Sequence, residues 1–272
     1  MLLDGKIVFV TGATGGIGVP LVKLMRARGA HVIAYDRTSQ GNLMENIDTT
    51  CKTLRENTPD ILINLAGIND FNRAEHQNYD ALVTLNLLVP MRLCQAVLPA
   101  MRARDHGQIV NIGSMVGLIP LPHVTGYAAA KSGLKGFSDA LRRELHGTGV
   151  MVQHIAPRAV QTSMNSGKAG ILNNRTGTTE DSPDNIARRI VDAIERDETD
   201  VRIGWPERFF AILHAVLPRM VDKGLRKNAI IGEEILAPKN ANTVPRKVTM
   251  IAPNQNIGHD TGPQTSARSH NT

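Results

Sequence analysis

Aromatic side chains are scarce in this chain: one Trp, three Tyr and five Phe among 272 residues. A surface on which successive bases stack needs more, so no nucleic-acid partner is expected. Cysteine is scarcer still. Cys51 and Cys94 form no metal-ligand or redox spacing, and two thiols make no disulfide framework. No metal is expected, and the reading fits a reducing cytoplasm. No run reaches the about 18–20 apolar residues of a membrane span. The N-terminus, MLLDGKIVFV, carries Asp4 and no long apolar core before a small-residue cleavage site, so it does not read as a signal peptide. An excess of one charge is also largely missing from the body. The formal net charge is +6, and half of it comes from Lys239, Arg246, Lys247 and Arg268 against Asp260 near the C-terminus. A polyanion partner is therefore not required.

What the sequence does have is 42% apolar residues, enough for a large core. They fall in an alternation of short β-branched runs and helical patterns, which reads as βαβ units on a parallel sheet. Strands are expected at Ile7–Val10, Val32–Tyr35, Ile61–Asn64, Ile109–Ile112, Val150–Ile155 and Val201–Gly204. Helices are expected at Ile17–Arg28, near 78–103 and 125–147, and from the Ser182-Pro183-Asp184 cap to about Glu195. Near-continuous apolar strands imply that both sheet faces are covered. The expected fold is a three-layer doubly wound α/β sheet whose ligands sit at the C-terminal edge of the strands. One connection is short. The next candidate strand after Tyr35 is Leu43–Ile47, a gap too small for a full crossover helix. An irregular connection and a short helix within 49–57 are expected there. Three segments follow: 1–204 as the dinucleotide-binding catalytic domain, 205–237 as an amphipathic helical segment, and 238–272 as a disordered tail rich in Asn, Thr, Pro and Ser.

Thr11-Gly12-Ala13-Thr14-Gly15-Gly16-Ile17-Gly18 lies between the first strand and the first helix. Gly12 allows a tight turn, Gly16 close approach of backbone to a pyrophosphate, and Gly18 close packing of helix on sheet. The helix start offers unpaired amides to phosphate. Asp36 ends the second strand, where a carboxylate accepts hydrogen bonds from the adenosine ribose hydroxyls and repels a 2′-phosphate. NAD is therefore favoured over NADP, although Arg37 beside it could pair with that phosphate.

Tyr127 and Lys131 stand at i and i+4 of an expected helix and share one face. An ammonium beside a phenol favours phenolate, so Tyr127 is a candidate general acid/base for a hydroxyl or carbonyl group. Ser114 follows the strand Ile109–Ile112 at the edge where ligands bind.

These motifs together resemble the short-chain dehydrogenase/reductase family, single-domain type. The matching residues are TGATGGIG at 11–18, Asp36, NLAG at 64–67, Asn86, NIGS ending at Ser114, and YAAAK at 127–131, and the resemblance spans roughly 4–204. It implies a catalytic tetrad. Ser114 would hydrogen-bond the substrate oxygen, and Tyr127 would pass the proton. Lys131 would tune Tyr127 and hold the nicotinamide ribose, and Asn86 would position a relay water. It implies cofactor contacts from Gly12, Thr14, Gly16, Ile17, Gly18, Asp36, Asn64, Ala66, Gly67, Tyr127, Lys131, Pro157, Val160 and Thr162, with the adenine pocket assigned to Asn46 and Ile47. It also implies a homodimer or homotetramer packed through the helices near 78–103 and 125–147.

This chain departs from the family pattern at Leu65, where a second Asn is usual, and at Arg158, where glycine is usual. Arg158 reads either as a solvent-pointing loop residue or as a greeter of acidic substrate. After Trp205-Pro206, a helical stripe carries Phe209, Phe210, Ile212, Leu213, Val216, Leu217, Met220, Val221 and Leu225, with a kink expected at Pro218. Arg208, Arg219, Lys223, Arg226 and Lys227 flank it. It reads either as a lid or subunit face or as an interfacial membrane helix. In both cases apolar surface stands beside the site, and an apolar substrate is expected. The expected activity is NAD(P)-dependent interconversion of a secondary alcohol and a ketone. The competing expectation is a catalytically silent dinucleotide-binding redox sensor.

Overall fold

The apolar runs become six parallel strands in the computed structural model, which describes residues 2–238. They are β1 (Ile7–Thr11), β2 (His31–Tyr35), β3 (Ile61–Asn64), β4 (Gly107–Ile112), β5 (Val150–Ala156) and β6 (Asp200–Arg202), in the order β2-β1-β3-β4-β5-β6. The helices in chain order are α1 (Gly18–Ala27), α2 (Arg37–Gln40), α3 (Ile47–Glu56), α4 (Tyr79–Val83), α5 (Val89–Ala103), α6 (Thr125–Glu144), α7 (Gly167–Thr176), α8 (Pro183–Glu195), α9 (Trp205–Val216) and α10 (Pro218–Leu236).

Alternation along the strands divides the interior into two cores. Val8, Val10, Ile61, Ile63, Val110 and Ile112 face α1 and α8, meeting Leu21, Met25, Ile186, Ile190 and Ile194. Phe9, Leu62, Ile109 and Val152 face α3, α5 and α6, meeting Leu54, Leu93, Val97, Met101 and Leu141. Each such fully buried side chain contributes about 1.5–3 kcal/mol. This is the three-layer doubly wound fold expected from the sequence. Chain order reverses at β1, so the crevice beyond the ends of β1 and β3 is the switch point where ligands bind.

Several details differ from the expectations. Leu43–Ile47 is not a strand. The chain turns there, buries Leu43 and Ile47 in the second core, and crosses directly to β3 through α3, leaving β2 at the sheet edge. The helix expected near 78–103 is α4 and α5 joined by one π turn, Thr84–Leu88, with Asn86 wholly buried at its centre. By length and mean hydropathy Tyr79–Ala103 would also suffice to cross a membrane, although Asn86, Arg92 and Gln95 interrupt any unbroken apolar run. It is instead a core helix here: Leu93, Cys94, Val97 and Met101 are fully buried against the sheet. The C-terminal segment does not merely kink at Pro218. It breaks at Leu217 (φ −132°, ψ 62°), and α10 continues past 227 to Leu236. The sequence reading missed α7, whose end is marked by Gly177 in the left-handed region. The tail expected from 238 onward lies outside the described residues apart from Pro238.

Candidate active site

The glycine loop is shaped by its neighbours on the adjacent strand. Gly12 has φ +70°, and a Cβ there would lie 2.8 Å from the Cα of Ala66. The Thr11 hydroxyl accepts from the amides of Leu65 and Ala66, both at 3.1 Å, and clamps the loop after β3 onto the loop after β1. Leu65 is accommodated because it packs against the first core. A Cβ on Gly16 would fall 2.4 Å from the Cγ2 of Thr162, so the loop after β5 closes over the glycines. Gly18 is pressed against the carbonyl of Gly12 rather than against the sheet, as the sequence reading had it. Helix α1 has no side-chain cap at Ile17 and no acid in its first turn. Its leading amides therefore meet no carboxylate from their own turn, which suits a phosphate, while Asp184 of α8 and Lys23 both line the cleft in front of them. Thr14, Gly15 and Gly16 line an open cleft of about 460 Å³ with Lys23 and Pro183.

Several residues expected at the cofactor have their side chains committed elsewhere. Ile47 is buried beside Tyr35 and Leu43, because the shortened crossover tucks the first residue of α3 into the core. It does not line an adenine pocket. Asn46 donates to the Gln40 carbonyl at 3.0 Å. Asn64 donates to Asn111 Oδ1 at 2.8 Å, and Asn111 donates to Ser138 Oγ at 2.9 Å. This buried polar chain ties β3, β4 and α6 together, so the Asn64 side chain holds strands rather than ligand. Val160 points into the first core and bridges Asp181. Pro157 is buried, and its carbonyl accepts from the Met115 amide at 2.9 Å. Asp36 stands at the end of β2 as expected, its amide held by Gln40 Oε1 at 2.9 Å.

The four catalytic candidates assemble. Ser114 emerges just beyond β4 in extended backbone, its Oγ accepts from the Val116 amide at 3.1 Å, and it neighbours the Tyr127 phenol. One turn along α6, the Lys131 ammonium lies 5.7 Å from the Tyr127 ring centroid and donates to the Ile112 carbonyl at 2.8 Å. The π turn swings Asn86 inward, where its Nδ2 donates to the carbonyls of Ile68 and Leu82, both at 2.9 Å. Such π turns often mark functional sites. A Cβ on Gly67 would lie 2.7 Å from Asn86 Oδ1 and 3.8 Å from Lys131 Nζ, so amide, glycine and ammonium are neighbours.

The electrostatics differ from the sequence expectation in one respect. Burial pushes the Tyr127 phenol up, and the neighbouring Ser114 hydroxyl only partly pulls it back. Burial likewise pushes the Lys131 ammonium down to about 8. Desolvation outweighs the mutual influence expected from the spacing, and Tyr127 rests as a neutral phenol with a proton to give.

Arg158 matches neither reading offered for it. Its guanidinium makes two hydrogen bonds to Asp181, at 2.9 and 2.8 Å, and lies 3.7 Å from Glu207 at the start of α9. It is an internal clasp between the loop after β5 and the C-terminal helices. Asp181→Ala strips this half-buried cation of its bidentate partner, at a cost of about 2 kcal/mol. A melting temperature lower by about 4–8 °C is expected, with cofactor affinity retained; an unchanged melting curve would refute the clasp.

The surface just past Ser114 is apolar. Met115, Leu118 and Ile119, directly after Ser114, pack with Ala156 and with Ala211 of α9. His123 Nε2 donates to the Ala229 carbonyl of α10 at 3.0 Å, and Arg73 donates to Glu233 at 2.9 Å. Helix α10 is thereby fixed to both loops that frame the cleft.

Comparison with known proteins agrees with this geometry. The model of the short chain dehydrogenase family matches residues 42–170, beginning past the glycine loop. The 3-oxoacyl-acyl-carrier-protein reductase FabG of Escherichia coli (strain K12) is 35% identical over 201 residues, covering 63% of this chain and 82% of the relative. This chain belongs to the short-chain dehydrogenase family. It is an oxidoreductase with the nucleotide-binding fold of that family. The FabG reductase of Vibrio harveyi is also 35% identical, over 77% of its length. A short-chain dehydrogenase from Sphingobium yanoikuyae, solved with NADPH, superposes with TM-score 0.68 at 27% identity, over 80% of this chain and 95% of that one. A 4-hydroxyisoleucine dehydrogenase complexed with NADH superposes with TM-score 0.64 at 25% identity, over 73% and 96%.

Proposed function

We propose that this dehydrogenase interconverts an apolar ketone and the corresponding secondary alcohol, with NAD preferred over NADP. The observation that carries the reading is the convergence of Ser114, Tyr127, Lys131 and Asn86 at the crevice where chain order reverses. The glycine loop, Gly67 and Thr162 would hold the dinucleotide, and Asp36 would accept from its ribose. When bound, that group supplies or takes up the hydride at the substrate carbon. Ser114 Oγ donates to the substrate oxygen and fixes its position. Tyr127, neutral at rest, gives its proton to that oxygen during reduction and recovers it through the Lys131 and Asn86 side. Met115, Leu118 and Ile119 exclude water and favour an apolar substrate. The FabG relatives reduce 3-oxoacyl groups by name, which is in keeping with a ketone on an apolar chain.

The reading also includes a homodimer or homotetramer through α4, α5 and α6, where Tyr79, Val83, Leu88 and Met91 are exposed. It includes cytoplasmic residence and contact of 205–227 with a membrane surface. The test is turnover of NADH and NADPH against a panel of apolar ketones, including a short soluble one. Oxidation of NADH by these ketones is expected. Cofactor binding without turnover on any of them would favour the silent redox sensor.

Asp36→Ala tests the cofactor preference. The lost hydrogen bonds to ribose are charge-assisted, about 1.5–3 kcal/mol each, and the repulsion of a 2′-phosphate goes with them. The NAD/NADP affinity ratio, measured by fluorescence titration, should fall at least about tenfold. A wild-type enzyme that already prefers NADP would overturn the role given to Asp36.

A further inference from the structure

Helix α9 is oriented the wrong way round for an ordinary surface helix. Trp205, Phe209, Ile212 and Val216 are spaced four, three and four apart, so they share one face. They are 79%, 57%, 58% and 69% exposed. The opposite face, with Glu207, Ala211 and His214, is the one turned to the body, where Ala211 is buried against Met115. The apolar stripe therefore points straight out, where amphipathic helices normally place polar residues. It faces away from the Met115, Leu118 and Ile119 cluster on which Ala211 packs, so it is not the inner face of a lid. Across the break at Leu217 the pattern changes. Helix α10 presents Met220 and an exposed row of cations, Arg219, Lys223, Arg226 and Lys227, at helical spacing. Segment 205–227 holds five cations against two acids, and one of those acids, Glu207, lies against Arg158.

We infer that α9 and the first half of α10 form a docking surface for anionic lipid, with the α9 stripe entering the headgroup–acyl boundary and the α10 cations against the headgroups. The inference deepens the membrane contact in the proposed function and rests on it, but not on the redox chemistry. Charge selects the occupant. A second copy meeting this face offers the α10 cations no acidic counterpart on the face itself beyond Asp222. The 34 residues after Pro238 carry four cations and one acid, the same sign as the face. A convex ridge of Trp, Phe, Ile and Val beside lysine and arginine matches a lipid surface in both shape and composition. Docking there brings Met115, Leu118 and Ile119 to the bilayer side, where an apolar substrate is concentrated.

The test is flotation of the full-length protein with vesicles of phosphatidylcholine, alone or mixed with phosphatidylglycerol. Binding is expected to the mixed vesicles, weaker on the neutral ones and weakened by salt. Phe209→Ser with Ile212→Ser should reduce affinity at least about tenfold, since two large apolar side chains no longer leave water. A second variant, Lys223→Glu with Arg226→Glu and Lys227→Glu, should abolish the preference for anionic vesicles. Both sets of positions are exposed, and turnover on a short soluble ketone should persist in both, which separates failure of docking from failure of the reductase reading. Full-length protein that floats with neither vesicle overturns the proposal, as does undiminished flotation of the serine variant. So does self-association of the wild type that the serine variant loses, or capture of an acidic protein in place of vesicles.

Discussion

Tyr127→Phe should retain cofactor affinity and lose turnover by about 10²–10⁴-fold, the usual range for a general acid/base. The substitution removes one hydroxyl. The ring still fills its place beside Lys131, Ser114 keeps the Val116 amide, and the Lys131 bond to the Ile112 carbonyl is untouched. Nothing in the glycine loop contacts the missing oxygen, so a weakened dissociation constant is not expected. Stopped-flow or steady-state assays on an accepted ketone decide the matter. A fall in kcat of less than about threefold would sink the assignment, since no general acid contributes so little.

Lys131→Met should abolish efficient turnover and make the protein more stable at neutral pH. The ammonium is 5% exposed, and burial lowers it from 10.5 to about 8. Such a shift corresponds to about 3 kcal/mol of unfavourable interaction with the charged form. Methionine has a similar length and carries no charge to desolvate. Loss of the donor to the Ile112 carbonyl returns about 1 kcal/mol, leaving a net gain of about 2 kcal/mol. A melting temperature higher by about 4–8 °C is expected at pH 7. The sign of the pH dependence follows from linkage. Below pH 8 the lysine is protonated in both folded and unfolded states, and the burial cost is present in full. Between pH 8 and 10.5 the folded lysine has released its proton while the unfolded one has not, so the wild type gains stability as pH rises. The advantage of the variant should therefore shrink across that window. An advantage that is constant with pH, or a destabilised variant, would show that Lys131 is not held against a desolvation cost. An active site that costs stability in this way is the ordinary trade between function and folding.

The two substitutions also separate the roles of the pair. Both should lower kcat, but only the lysine variant should change the melting temperature with a pH-dependent difference.

Periodicity and local chemistry determined a good deal. The β-branched runs set the strands, because alternate residues must be buried on both faces of a covered sheet. The Ser182-Pro183 cap placed the start of α8, and its Oγ does accept from the Asn185 amide. The pair Tyr127 and Lys131 was legible because four residues return a helix to the same face. Ser114 was legible because a residue just past a strand emerges at the binding edge.

Other features depended on contacts between segments distant in sequence. Ile47 and Val160 were placed at the cofactor by position in a motif, yet each lies in a core, because the crossover after β2 and the bridge to Asp181 turn them inward. Asn64 has its partner in Asn111, 47 residues away on the neighbouring strand. Arg158 became a clasp only when Asp181 and Glu207 arrived from later elements. The π turn that buries Asn86 has no period of its own to read. The pKa values of Tyr127 and Lys131 were set by burial, which spacing along one helix does not reveal. The direction of the α9 stripe is the plainest case. Its amphipathic pattern was written in the sequence, but a pattern says only that one face differs from the other. Which face meets the body was decided by the packing of Ala211 on Met115 and by the Arg158 clasp.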